Sequence, residues 1–215
     1  ATTEIYTLSL HDALPICRQL EYRTARVLSQ LDPVWFTTMS DLLLPNEYNG
    51  KTTQIDHVVL SPFGLFVIEC KDYNGMLQGY DTQTYWHYTN ADSGFHYKVY
   101  SATAQNYTHI KVLKQILSDH ELLRVESLIV FSDQTDFRHL HCRKSIPLHV
   151  SGLLDFFAQQ NSMYYLLGAI DDMVALLEAA KIRGFRANQS HLENVKDTIS
   201  NITFGGGNHV KRNRL

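Results

Sequence analysis

Three charged residues stand where charge is expensive. In TQIDHVVLSPFGLFVIECKD (residues 53–72), two runs of Val, Ile, Leu and Phe flank a Ser-Pro-Phe-Gly turn. That is the pattern of two hairpin strands buried on both faces. Within them sit Asp56, Glu69 and Lys71. An unpaired charge in such a strand costs roughly 3–5 kcal/mol, so something must offset it. If Pro62 and Phe63 are the central residues of the turn, Asp56 faces Glu69 and Gln54 faces Lys71. Side chains alternate with period two, so all four then share one face. Directly opposed Cβ atoms lie about 4.5–5.5 Å apart, where like charges repel. Two carboxylates held that close need a proton or a cation between them. Oxygen donors without His or Cys suit Mg²⁺ or Mn²⁺. A second register stays open. Pro62 fixes φ near about −65°, which excludes the primed turns favoured by two-residue hairpins. A type I turn with Gly64 left-handed would shift the pairing by one residue and put Asp56 and Glu69 on opposite faces.

The elements that must position these groups follow from periodicity. Leu20, Val27, Leu28 and Leu31 recur at helical spacing from Arg18 to Leu31, and Asp32-Pro33 stops that helix. Residues 34–39 have strand composition, 44–52 read as a turn-rich loop, and strands are expected at 54–60 and 65–71. Gly75 and Gly79 punctuate a turn region before a strand at 84–89. Ser101 to Ser118 reads as a helix, residues 126–133 as a short buried strand and 146–150 as another. From Ser151 the pattern turns helical, at 151–160, 163–182 and about 189–201, before a glycine-rich basic tail at 204–215. This order predicts an α/β fold with a central mixed sheet flanked by helices. The expected organisation is a core at 17–150, a helical extension at 151–203 and the tail.

Composition narrows the classes. A hydrophobic fraction of 44% with 19% charged residues describes a globular protein rather than a disordered one. The net charge of −3 gives no global basic signal, so nucleic-acid binding must rest on a local patch. Cys17, Cys70 and Cys142 are odd in number and form no CxxC pair. This argues for a reducing, cytoplasmic setting with neither a disulfide framework nor a structural zinc site. No apolar run reaches the length of about 18 residues that a membrane helix needs.

The first sixteen residues, ATTEIYTLSLHDALPI, resemble an in-frame translation of a common short-read sequencing adapter, whose end GACGCTCTTCCGATC reads Asp12 to Ile16. They are set aside from the fold argument, as a cloning scar would be. Native sequence is then expected to begin near Cys17, and Ile5–Ile16 to pack poorly.

The residues around the three charges also resemble a known family. Asp56 followed by Glu69-Cys70-Lys71 matches the PD-(D/E)xK pattern of restriction-endonuclease-like nucleases. The words TTQIDHVVLSPFGLFVIECKDYNG, then Gly79 and Trp86, resemble the core of the NERD (nuclease-related) domain, over roughly residues 18–150. Leu20-Glu21 is similar to that family's Gly-Glu motif, with Leu20 in place of the glycine. Gln105 is similar to the glutamine of its Asn-Pro-x-x-Gln motif, with Ser101 and Ala102 where Asn and Pro would stand. The resemblance implies a restriction-endonuclease-like fold acting on DNA. Asp56 and Glu69, aided by the Cys70 backbone carbonyl, would hold Mg²⁺ or Mn²⁺. Lys71 would orient water or stabilise negative charge, Glu21 would act as an outer ligand or water-holder, and Gln54 and Gln105 would bond the phosphate or water.

Blander readings apply to other residues. HLHC (139–142) has the wrong spacing for a zinc pair on a helix and reads as a loop or exposed strand. His57 and Cys70 are expected to face away from the carboxylates and pack. Tyr73, Tyr80, Tyr85, Trp86, Tyr88, Tyr97 and Tyr100 read as strand packing, with base stacking as the alternative. Two functions follow: a metal-dependent DNA nuclease, or a non-catalytic nucleic-acid-binding or regulatory module on the same fold.

Overall fold

The computed structural model describes residues 5–6 and 10–183, with side chains from Arg18 onward. The helix expected at 189–201 and the basic tail lie outside the described residues. A central five-stranded sheet carries the three charges. Its long hairpins are β2 (Thr37–Asn46), β3 (Lys51–Ser61) and β4 (Gly64–Lys71), and it is completed by β8 (Val125–Phe131) and β10 (Ile146–His149), in the order β10-β8-β4-β3-β2. β2, β3 and β4 pair antiparallel, while β4, β8 and β10 run parallel, so the sheet is mixed as expected. β4 is buried from Gly64 to Cys70 because both its faces are covered. The turn-rich loop read at 44–52 shrinks to residues 47–50, since the flanking residues pair with each other.

Helices cover both faces. On one side, α1 (Leu10–Leu28) and α3 (Leu153–Ala158), the latter entered through a turn of 3-10 helix at Val150–Gly152, pack Leu20, Leu28, Leu153 and Phe157 onto Val59, Phe66, Ile68, Cys70, Leu128 and Val130. Phe66 meets Phe156 and Phe157 edge-on at 5.8 and 5.1 Å, the geometry aromatic quadrupoles prefer. On the other side, α2 (Ala102–Ile116) and α4 (Leu167–Ala180) pack Val112, Leu113, Ile170, Met173 and Leu177 onto Ile55, Val58, Leu60 and Val67. The helices after Ser151 therefore close the same cores that the earlier elements open. α1 begins at Leu10 rather than Arg18. The packing expected of Ile5–Ile16 concerns side chains outside the described set. No helix among the described residues is long and apolar enough to cross a membrane.

A second sheet is an addition to the expected architecture. It comprises β1 (Ile5–Tyr6), β5 (Gly75–Tyr80), β6 (Tyr85–Asn90), β7 (His96–Tyr100) and β9 (Thr135–His141), in the order β1-β7-β6-β5-β9. Residues 75–80, read as a turn region from their glycines, form a paired strand. Its inner face packs Leu77, Trp86, Tyr88 and Val99 against Ile129 and Phe131 of β8. That burial outweighs the low strand propensity of glycine.

Candidate active site

The register of the opening hairpin is the one that brings the carboxylates together. His57 pairs with Ile68, Val58 with Val67, and Ser61 with Gly64, so Pro62 and Phe63 alone form the turn. Gly64 takes φ +153°, a conformation open to glycine, and no left-handed bulge shifts the pairing. The turn is held from outside. The Pro62 carbonyl accepts the Tyr164 and Tyr165 amides at 2.6 and 3.1 Å, and the Phe63 carbonyl accepts the Arg124 guanidinium at 3.1 Å.

One position before His57 the regular sheet stops. In the β2–β3 ladder Ser40 pairs with His57 and Leu42 with Ile55, leaving Asp41 and Asp56 facing each other outside the pairing. Asp41 has φ +53°, which Asp tolerates better than most residues. Both strands switch faces there: Met39 shares a core with Leu42 and Leu44, and Val58 and Leu60 share it with Ile55. β3 and β4 also part beyond His57. The Cys70 amide donates to the Asp56 side chain at 2.7 Å instead of to a strand carbonyl. Asp56 is thus fixed at a break in the sheet, half-buried and beside Glu69.

Glu69 is 1% exposed, and both its oxygens are occupied. Lys71 Nζ donates to Oε1 at 2.6 Å, and His109 Nε2 lies 3.1 Å from Oε2. The Thr53 hydroxyl lies 2.9 Å from His109 Nδ1. With Nε2–H facing the carboxylate, Nδ1 of a neutral ring accepts that hydroxyl. α2 is locked over the site by Asn106, whose amide donates to the Val67 carbonyl at 2.8 Å and the Ser127 hydroxyl at 2.9 Å.

The electrostatics follow from burial and proximity. Desolvation and then the Glu69 charge push the Asp56 carboxyl well above the usual carboxylate range. Burial also pushes Glu69 up, but Lys71 and His109 more than offset it and hold it low. Burial opposes the Lys71 charge, yet Glu69, Tyr73 and Asp56 raise its pKa beyond the ordinary lysine range. Glu21, half-buried on α1, is raised by desolvation and then by Glu69. The four groups therefore share one electrostatic neighbourhood: an ionised Glu69–Lys71 pair flanked by two carboxyls that resist ionisation.

The other residues singled out from sequence fall as follows. Gln54 pairs laterally with Leu43, not across from Lys71, because the strands have parted; its amide donates to Asp41 Oδ1 at 2.6 Å. Gln105 is half-buried, one helical turn before His109. Cys70 points into the α1 core, its thiol 3.5 Å from the Thr24 hydroxyl, and burial pushes that thiol well up. His57 is buried and bonded to the Ser40 hydroxyl at 2.8 Å. Of HLHC, His139 and His141 are exposed at the end of β9, Leu140 is buried in the core beneath that sheet, and Cys142 follows the strand and packs against the same core. His109 and Asp41 are the site neighbours that sequence reading missed. For His109 the available signal is its i, i+4 spacing from Gln105, which puts both on one helix face.

Among the described residues, no three His, Cys, Asp or Glu side chains cluster closely enough to hold a metal ion. Asp56 and Glu69 present two adjacent carboxyl groups, oxygen donors of the kind hard divalent cations take, with Asp56 kept from ionising first by burial and then by Glu69.

The chain is similar to known proteins. Over 98 residues the chain is 34% identical to an uncharacterized protein of Bacillus anthracis, pXO1-01, a match covering 43% of this chain and 42% of that protein. The chain thus spans less than half the length of that curated relative. A solved structure of a protein of unknown function, AF1548, aligns over 84% of this chain and 98% of its own at 12% identity, with a TM-score of 0.35. The family model of the nuclease-related domain matches residues 18–132, which hold Glu21, Asp56, Glu69, Lys71 and Gln105. Ser101 caps α2, its hydroxyl accepting the Ala104 amide at 3.3 Å. Matched over more than half of its 215 residues, this chain belongs to the NERD family of nuclease-related domains.

Proposed function

We propose that the chain is a metal-dependent nuclease that hydrolyses DNA phosphodiester bonds. The observation that carries this reading is the break in the sheet at Asp56, which sets a carboxyl that resists ionisation beside the buried Glu69–Lys71 pair. Asp56 and Glu69, with the Cys70 backbone carbonyl, are the groups that would hold Mg²⁺ or Mn²⁺; a bound ion there polarises the phosphodiester and lowers the pKa of the attacking water.

The chain's own residues do the rest. Lys71 is held cationic by Glu69, so it takes no proton; it stabilises the charge that develops on the phosphate oxygens. Glu21, with its carboxyl held above the usual range, is suited to hold the attacking water and receive its proton. The Gln54 amide is engaged by Asp41, which leaves its carbonyl to accept from water. Gln105 serves as a donor to the scissile phosphate. The setting we infer is the reducing cytoplasm, in keeping with Cys70 and Cys142 as free thiols.

One observation favours a second reading. Both Glu69 oxygens already have partners, as they would in a non-catalytic nucleic-acid-binding or regulatory module that kept the fold. Plasmid nicking separates the two. The nuclease converts supercoiled plasmid with Mg²⁺ or Mn²⁺, is silent in EDTA, and loses about a hundredfold or more as Lys71→Ala. A wild-type protein inactive with every divalent ion supports the module instead.

A further inference from the structure

The tyrosines of the second sheet divide into two sets. Tyr88 is buried with Trp86, whereas Tyr80 and Tyr100 are 54% and 44% exposed on the outer face. Strand register builds that face in rows. Tyr85 lies opposite Tyr100, and Tyr80 opposite His141. The next row runs Lys98, His87, Gln78 and His139 across β7, β6, β5 and β9, all exposed. The rings already show the contacts that stacking surfaces make. Tyr80 stacks on His141 at 4.9 Å and 28°, Tyr85 and Tyr100 meet edge-on at 5.8 Å, and Lys98 Nζ sits 4.7 Å from the Tyr85 ring centre. Asp136, one row further, is neutralised by Arg138 at 2.7 Å.

We propose that this outer face binds single-stranded DNA, with bases stacking on Tyr80, Tyr85 and Tyr100 and the backbone passing Lys98. Aromatic faces accept any unpaired base, and a cation beside them meets the phosphates. A duplex hides its base faces and is gripped through many phosphate contacts; a chain of net charge −3 with one lysine in these rows supplies few. A protein partner calls for an apolar interface centre, and these rows present rings, amides and an ammonium group. The choice of DNA rests on the nuclease reading; the stacking itself needs no metal.

The test is fluorescence anisotropy of a labelled thymidine oligonucleotide of about twelve nucleotides, with the full chain in EDTA so that nothing is cleaved. Wild type binds it more tightly than a duplex of equal length or the matching RNA. Tyr80→Ala and Tyr100→Ala each weaken binding roughly five- to a hundredfold, with thermal unfolding unchanged, and Tyr100→Phe restores it. Alanine variants that bind as wild type, no wild-type binding, or a preference for duplex or RNA overturns the proposal. Plasmid nicking reports separately on the catalytic reading. A protein that nicks but ignores these tyrosines loses this face alone, and one that binds through them but cuts nothing loses the nuclease alone.

Discussion

Asp56 is placed where two demands conflict. The Cys70 amide fixes its carboxyl, while burial and Glu69 resist its ionisation. A carboxyl whose folded pKa lies above the unfolded value of 3.8 contributes stability that is present below that value and lost as pH rises through the folded one. Each step of pH above 3.8 erodes that contribution, and Asn cannot titrate. Asp56→Asn should therefore raise stability in EDTA by about 1 kcal/mol, the range typical of relieving a functional-site conflict, as urea unfolding at pH 7 would show; a less stable variant contradicts it. His57 gives the opposite profile. Burial lowers its imidazole to about 4 from 6.5, so the stability it contributes is present above 6.5 and lost as pH falls through about 4. The loss across that window is on the order of 3 kcal/mol. Urea unfolding between pH 7.5 and 4 should show His57→Gln with a flatter profile than wild type; identical profiles sink the assignment. Asp56, Glu69 and Lys71 were legible in sequence because charge in an apolar strand demands a reason. His109 was not, since a polar residue on a helix reads the same whether it faces solvent or a buried Glu.

At the scale of elements, turn residues alone gave an ambiguous hairpin, and only the chemistry of the carboxylates favoured the register observed. Tertiary contacts to Pro62 and Phe63 fix the turn, and such contacts have no local signature. β5 was hidden by its glycines, and β7 and β9 by their polar outward rows, which leave few apolar residues to show alternation. Gly75 tests this account. It has φ +146°, and a Cβ there would lie 2.1 Å from the Thr89 carbonyl oxygen and 2.8 Å from the Ala91 amide nitrogen. Gly75→Ala should cost about 2 kcal/mol or more, read by urea unfolding. A change within about 0.5 kcal/mol means the β5–β6 connection is not held as described.

For the whole molecule, helix–strand order was enough to give a mixed sheet between helices. The second sheet and the packing of α3 and α4 onto both faces depend on contacts between residues far apart in the chain. That architecture has a functional consequence. A central strand buried on both faces can carry Glu69 and Lys71 only because the sheet breaks beside them, and the break makes room for Asp56. We propose that this break is a metal-dependent catalytic centre. Its most direct test is the rate of Mg²⁺-dependent plasmid nicking by wild type and Asp56→Ala, side by side and with EDTA controls. Wild type should nick the plasmid and lose that activity in EDTA, and the variant should nick none although it remains folded. Full Mg²⁺-dependent activity in Asp56→Ala would contradict it.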